Sequence, residues 1–170
     1  MKKCAAIVKS ILDKNGYNYE IEKKWSHITF TLDNQYNELF ENYPIYYIIT
    51  VERHQIIVSA MLDYEIIGDA QVPVSKLLSH IKRDLAGMGD IGIQTGFVYI
   101  VSGLPYLKCL ENYEIALIMS IPLAIMRELT KWIIAVACGE LSVDDAYENM
   151  QEVMQGESTD SNFFDVFDLT

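Results

Sequence analysis

Positive charge is missing from the C-terminal end of this chain. No lysine or arginine follows Lys131, whereas nine acids lie between Gly139 and Thr170. The remainder holds 15 acids and 13 bases and is close to neutral, so the net charge of −11 belongs mainly to the C-terminal end. Because a protein that binds nucleic acid needs a basic surface to neutralise phosphates, and the sequence has no basic stripe, we expect no nucleic-acid ligand.

Cysteine is scarce as well. The three cysteines are an odd number, lie far apart in the sequence and include no pair at metal-ligand spacing; they are Cys4, Cys109 and Cys138. We interpret them as free thiols of a protein in a reducing compartment.

The chain lacks an uninterrupted apolar run of membrane-spanning length. The most apolar stretch, residues 115–138, contains Arg127, Glu128 and Lys131. The first residues, MKKCAAIVKSILDK, carry charges at helical spacing in place of a long apolar core. The sequence therefore predicts neither a membrane helix nor a signal peptide, and we expect a cytoplasmic protein.

Patterns that carry chemistry are also lacking. His27, His54 and His80 are not at metal-ligand spacing, and no sequence motif pairs a nucleophile with a base. The glycines of residues 87–96 follow a predicted helix and precede a predicted strand, which is the reverse of the order in a phosphate-binding loop. We expect no catalytic residue, no cofactor and no metal site.

The sequence is rich in apolar residues between Ile115 and Leu141. We predict a strand over residues 113–120 and then a helix that is capped by Ser120, has Pro122 in its first turn and ends at Gly139. Residues 132–138 are all apolar, so this helix must be covered on every side. A sheet covers one side, and the other needs a second helix or a second copy of the chain. Candidate partner-binding residues on this helix are Trp132, Ile133 and Val136.

The periodicity of the other segments indicates one α+β domain over residues 1–155. Helical spacing is present in residues 3–15, in a segment that begins at Val72-Pro73, and in a last segment that begins at Ser142. Strand patterns occupy the ranges 17–32, 45–51, 55–67 and 91–101, in addition to 113–120. The order α-βββ-α-ββ-α followed by an extra C-terminal helix predicts an antiparallel sheet of about five strands, with helices packed on it.

Residues 156–170 form an acidic tail that contains three phenylalanines. Phe163, Phe164 and Phe167 are interleaved with Asp165 and Asp168 in the sequence FFDVFDL and are candidate partner-binding residues. Since aromatic side chains are poorly placed in water, we expect the tail to dock on its own domain, on a partner subunit or on another protein.

Eight segments between residues 3 and 155 follow one another in an order and spacing that can be compared with known families. They are CAAIVKSILDKNGY, ITFTL, IYYIITV, IIVSAML, VPVSKLLSHIKRDL, GFVYIVSG, YEIALIMSI and IPLAIMRELTKWIIAVACGEL. Their order and spacing resemble the type III secretion chaperone-like fold, and within it the bacterial sensory-transduction-regulator family (YbjN-like). The resemblance implies a non-enzymatic protein-binding module that forms a homodimer and holds a client or a regulatory partner.

Two other interpretations stay open. The acidic C-terminal end is also typical of an immunity-type protein that neutralises a basic partner, with charge steering the association. The third interpretation is an enzyme with a small-ligand pocket, built from Tyr46, Tyr47, His54 and Tyr64.

Overall fold

The computed structural model describes residues 1–32, 44–85, 88–106 and 110–157, and for residues 153–157 it describes the backbone alone. In these ranges a six-stranded antiparallel sheet carries four helices, which confirms the predicted α+β class with one strand more than the five expected. The helices are α1 (Lys2–Lys14), α2 (Gln71–Asp84), α3 (Asn112–Ala137) and α4 (Val143–Glu157). The strands are β1 (Tyr19–Lys23), β2 (His27–Leu32), β3 (Ile45–Glu52), β4 (Gln55–Leu62), β5 (Asp90–Gln94) and β6 (Phe97–Pro105).

The strand order across the sheet is β1-β2-β3-β4-β6-β5. Burial alternates along the central strands, so that every second side chain of β3 and β4 lies in the core. The central helix α3 contacts β4 and β6, and each of the other three helices contacts α3. This arrangement places the hydrophobic core between one face of the sheet and the helical layer.

Two of the segments that the sequence predicts as single strands each contain two strands joined by a turn. Residues 17–32 contain β1 and β2, which are separated by a turn at Lys24–Ser26. Residues 91–101 cover β5 and the first half of β6, with Thr95 and Gly96 in the turn between them at φ values of 49° and 87°. Two consecutive residues with positive φ are typical of a tight hairpin turn, and Gly96 adopts this conformation without a steric penalty.

The strand predicted over residues 113–120 is wrong, because this segment forms the first turns of α3. The helix begins after Glu111, whose backbone N–H donates to Glu114 Oε2 at 2.8 Å. Ser120 is therefore not a cap; it lies inside the helix and donates to the carbonyl of Ala116 at 2.9 Å. The apolar residues that suggested a strand belong instead to a helix that is buried on most of its circumference.

The covering that α3 requires comes from within the chain. The sheet lies on one side, and α1, α2 and α4 contact the helix as well. The predicted end of α3 is confirmed: Gly139 has a φ of 73°, and the next N–H, of Glu140, donates to the carbonyl of Ala135 at 2.8 Å. The last helix also begins as predicted, since the N–H of Asp145 donates to Ser142 Oγ at 3.1 Å.

Helix α4 continues to Glu157, two residues past the predicted domain boundary at 155. In the described ranges, no helix combines the length and apolar character that a membrane crossing requires.

Candidate functional site

The side of the sheet that faces away from the helices carries an uncharged surface. On β3, β4 and β6 the residues that alternate with the core point to this side, and ten of them form what we call the open face. They are Tyr46, Ile48, Thr50, Ile57, Ser59, Met61, Phe97, Tyr99, Val101 and Gly103. None of the ten carries a charge, and each is partly or fully exposed. An apolar surface of this kind on an otherwise acidic protein is a candidate interaction site.

The strand register arranges the open face in rows. Tyr46 lies opposite Met61, and Met61 lies opposite Tyr99 on the next strand. The ring of Tyr99 then extends over Gly92 of β5, where a Cβ atom would lie 2.7 Å from the Tyr99 hydroxyl oxygen. The row of aromatic and methionine side chains therefore reaches across four strands. A second row places Ile48, Ser59 and Val101 side by side.

The open face has a polar border. The outward positions of the outer strands carry mainly polar and charged side chains; they include Glu20, Glu22, Thr29, Thr31, Asp90 and Gln94. Three strands about 4.8 Å apart and three rows about 6.7 Å apart give the uncharged centre an area on the order of 300 Å². An apolar centre with a polar rim is the usual anatomy of a protein–protein interface.

The partner-binding residues predicted on α3 lie on the other side of the sheet. Ile133 and Val136 are buried in the core and offer no surface to a partner. Trp132 is partly buried, and the Lys131 ammonium lies 4.9 Å from the centre of its ring. The three tail phenylalanines, Phe163, Phe164 and Phe167, lie outside the described residues.

The four residues of the hypothetical enzyme pocket do not converge. Tyr46 points to the open face, whereas Tyr47 points into the core from the same strand. His54 lies in the turn between β3 and β4, and the Tyr64 hydroxyl lies 3.8 Å from Cys138 Sγ. In the part of the chain that the structure describes, no three His, Cys, Asp or Glu side chains are close enough to hold a metal ion.

One polar cluster joins α4 to α2. Asp84 accepts hydrogen bonds from the Tyr147 hydroxyl at 2.8 Å and from Gln151 Nε2 at 2.6 Å. The pKa of Tyr147 is raised because its hydroxyl donates to this carboxylate. His80 lies 5.1 Å from the Tyr147 ring, and the Arg83 guanidinium contacts His80 Nδ1 at 2.9 Å. These contacts fix the position of the last helix, which is a structural role.

A second surface feature is the turn between β1 and β2. Trp25 lies in this turn and is 100% exposed, with Lys23 and Lys24 directly before it. His27 pairs with Glu52, so the β3–β4 turn, with exposed Arg53 and His54, lies at the same end of the sheet. We call Lys23, Lys24, Trp25, Arg53 and His54 the hairpin tip.

The sequence analysis predicts neither the open face nor the hairpin tip, although the sequence does contain a signal for the open face. In IYYIITVE and QIIVSAML, apolar residues occupy both sets of alternate positions. When helices cover only one face of a sheet, only the alternate strand positions that face the helices need to be apolar. The surplus set forms the open face.

Comparison of this chain with protein-family models, with curated proteins and with solved structures finds no match. The likeness to the secretion chaperone-like regulators therefore stays a resemblance in the order of elements.

Proposed function

We propose that this protein is a non-catalytic protein-binding module of the cytoplasm, a homodimer that holds a client or regulatory partner through the open face. The observation that carries the proposal is the uncharged, aromatic-rich face on the side of the sheet opposite the helices. The resemblance to chaperone-like regulators implies the same class of function. The described cysteines, Cys4 and Cys138, are free thiols, which fits a reducing compartment.

The chemistry of the open face suits adhesion to protein. Tyrosine, phenylalanine and methionine are enriched at protein interfaces, where charged residues are depleted. The open face covers about 300 Å², and its burial contributes at most about 7 kcal/mol at about 25 cal/mol per Å², because Thr50, Ser59 and Gly103 are part of that area. That gain is similar to the estimated cost of association, 4–15 kcal/mol or more. The open face alone therefore supports reversible contacts, and a stable complex must also bury part of its polar border.

The proposal is tested by suppression of client aggregation. Reduced insulin, whose B chains aggregate after their disulfides are broken, serves as the client, and light scattering reports aggregation. We expect the full-length protein to suppress the scattering in proportion to its concentration. We expect Ile48→Asp to lose at least three-quarters of this suppression, because a carboxylate at the centre of the open face must be desolvated on contact.

A matched control is available in the chain. Ile67 is 68% exposed and lies outside the open face, so Ile67→Asp introduces the same charge on the same residue type. It should retain full suppression, and circular dichroism should show that both variants are folded. Failure of the wild-type protein to suppress aggregation, or equal suppression by Ile48→Asp, would contradict the proposal.

The acidic, immunity-type interpretation has one observation in its favour. Asp144, Glu148 and Glu152 are exposed on α4, and no base lies in the segment from Gly139 onward. This alternative predicts that capture of a basic partner is reduced by Asp144→Asn, Glu148→Gln and Glu152→Gln together and by added salt. Under this alternative, Ile48→Asp should have no effect on the capture of the basic partner. Ile48→Asp and the triple α4 variant therefore distinguish the two functions.

A further inference from the structure

The hairpin tip leaves its most apolar side chain in water. An indole that becomes buried typically removes about 150–250 Å² from water, and Trp25 buries none of its surface among the described residues. A tryptophan in such a position is typical of an anchor for a partner segment.

The charges around Trp25 indicate what kind of segment fits. Lys24 pairs with Glu22 at 3.0 Å. Lys23 and Arg53 are exposed, and neither forms an ion pair with another described residue. The complementary ligand is therefore an aromatic segment that carries carboxylates and no base.

The C-terminal segment of this chain has that composition. Residues 158–170 contain three phenylalanines and three aspartates and no lysine or arginine. The open face is a poor alternative for the same segment, because its ten uncharged positions offer nothing to a carboxylate that loses water. The hairpin tip supplies cations as well as an aromatic ring.

The position at which α4 ends makes the contact possible within one molecule. Met150 of α4 lines a cleft with Ile125 and Leu129 of α3, so α4 runs back along α3 toward the beginning of that helix. The beginning of α3 follows the end of β6, where Pro105 pairs with Gln55 beside the β3–β4 turn. Helix α4 therefore points toward the end of the sheet that carries the hairpin tip.

The length of the segment is sufficient. Five strand spacings of about 4.8 Å make the sheet roughly 24 Å wide. Helix α3 has 26 residues and is about 39 Å long, and α4 has 15 residues and is about 22 Å long. The end of α4 therefore lies some 17 Å short of the start of α3. The distance from the end of α4 to the hairpin tip is then on the order of 30 Å, whereas thirteen extended residues reach about 43 Å. Phe167 lies within this reach.

We propose that the acidic aromatic segment 158–170 docks on the hairpin tip of its own molecule, with a phenylalanine ring against Trp25 and aspartates near Lys23 and Arg53. This contact is distinct from the client contact on the open face, and neither depends on the other. In the absence of a partner it covers Trp25, and a competing acidic aromatic segment of a partner would displace it.

Tryptophan fluorescence tests the proposal on the full chain. The chain has two tryptophans, so Trp132→Phe leaves Trp25 as the single reporter. We expect its quenching constant with acrylamide to rise at least threefold when Phe163→Ser, Phe164→Ser and Phe167→Ser are added together. Lys23→Glu with Arg53→Glu should raise it as well, because the carboxylates of the segment are then repelled.

Each alternative has its own outcome. Equal quenching with and without the three serines would overturn the proposal. A contact with the partner subunit is tested by mixing the triple-serine Trp132→Phe chain with a chain that keeps the segment and carries Trp25→Phe and Trp132→Phe. Protection of Trp25 that is restored after the subunits exchange would assign the contact to a second copy and would also overturn the proposal. Should Trp132→Phe fail to fold, a labelled peptide of residues 158–170 is added to the triple-serine chain with both tryptophans. Binding must then be lost on Trp25→Ala.

Discussion

Replacing Ile49 by alanine will lower the free energy of unfolding by about 2–5 kcal/mol, the range for deletion of a buried isoleucine side chain. Ile49 is 0% exposed and lies at the centre of the core face of β3. The same change at Ile48, its neighbour on the strand, should cost less than about 1 kcal/mol, because that side chain is 36% exposed on the open face. Urea unfolding followed by circular dichroism measures both values.

This pair of variants is matched in residue type, strand and distance from the strand ends. Any loss of intrinsic strand propensity therefore affects both variants equally. The difference between their losses of unfolding free energy then reports which face of β3 is buried. A cost at Ile48 as large as that at Ile49 would mean that the open face is covered in the folded monomer. The proposed client site would then not exist.

Tyr47→Phe should lower the free energy of unfolding by about 0.5–1.5 kcal/mol, the net contribution of a typical hydrogen bond inside a protein. The Tyr47 hydroxyl is buried and donates to the carbonyl of Met119 in α3. Tyr46→Phe is the matched control, because Tyr46 points to the open face, and it should cost less than about 0.5 kcal/mol.

The same hydroxyl predicts a pH dependence. Burial raises the pKa of Tyr47 well above its usual value of 10.0. The contribution of this group to stability is therefore complete below about pH 10 and is lost at higher pH, where the unfolded chain ionises first. Between pH 8 and pH 11 the stability of the wild type should fall more than that of Tyr47→Phe. Parallel pH curves would contradict the assignment.

The sequence predicts the fold class because the two periodicities are strong, but it misplaces elements where two signals compete. Tyr113–Ser120 has the apolar composition of a strand, and Pro122 suggested that a helix begins after it. The helix continues through this proline because the covering elements stabilise α3 on several sides. The turn at Thr95-Gly96 is a two-residue signal inside an apolar segment, and it was missed for that reason.

The candidate site was less accessible to prediction than the fold. An apolar helix must be covered, but the sequence does not say whether a helix of the same chain or a second copy covers it. Tertiary packing decides this for α3, and it buries Ile133 and Val136. Likewise, no local sequence pattern indicates which of the two series of alternate side chains on β3 faces the helices. Trp25 gives no periodic signal, because its importance lies in an exposure that only the folded chain defines.

The strand order has a consequence for synthesis on the ribosome. The meander of β1 to β4 is complete once Leu62 has been made, but α3, which covers its apolar face, ends roughly 75 residues later. At a translation rate of about 5–20 residues per second, the interval is on the order of 4–15 s. During that time a nascent chain exposes the side chains that later form the core. Aggregation during synthesis should therefore depend on translation speed between residues 62 and 137.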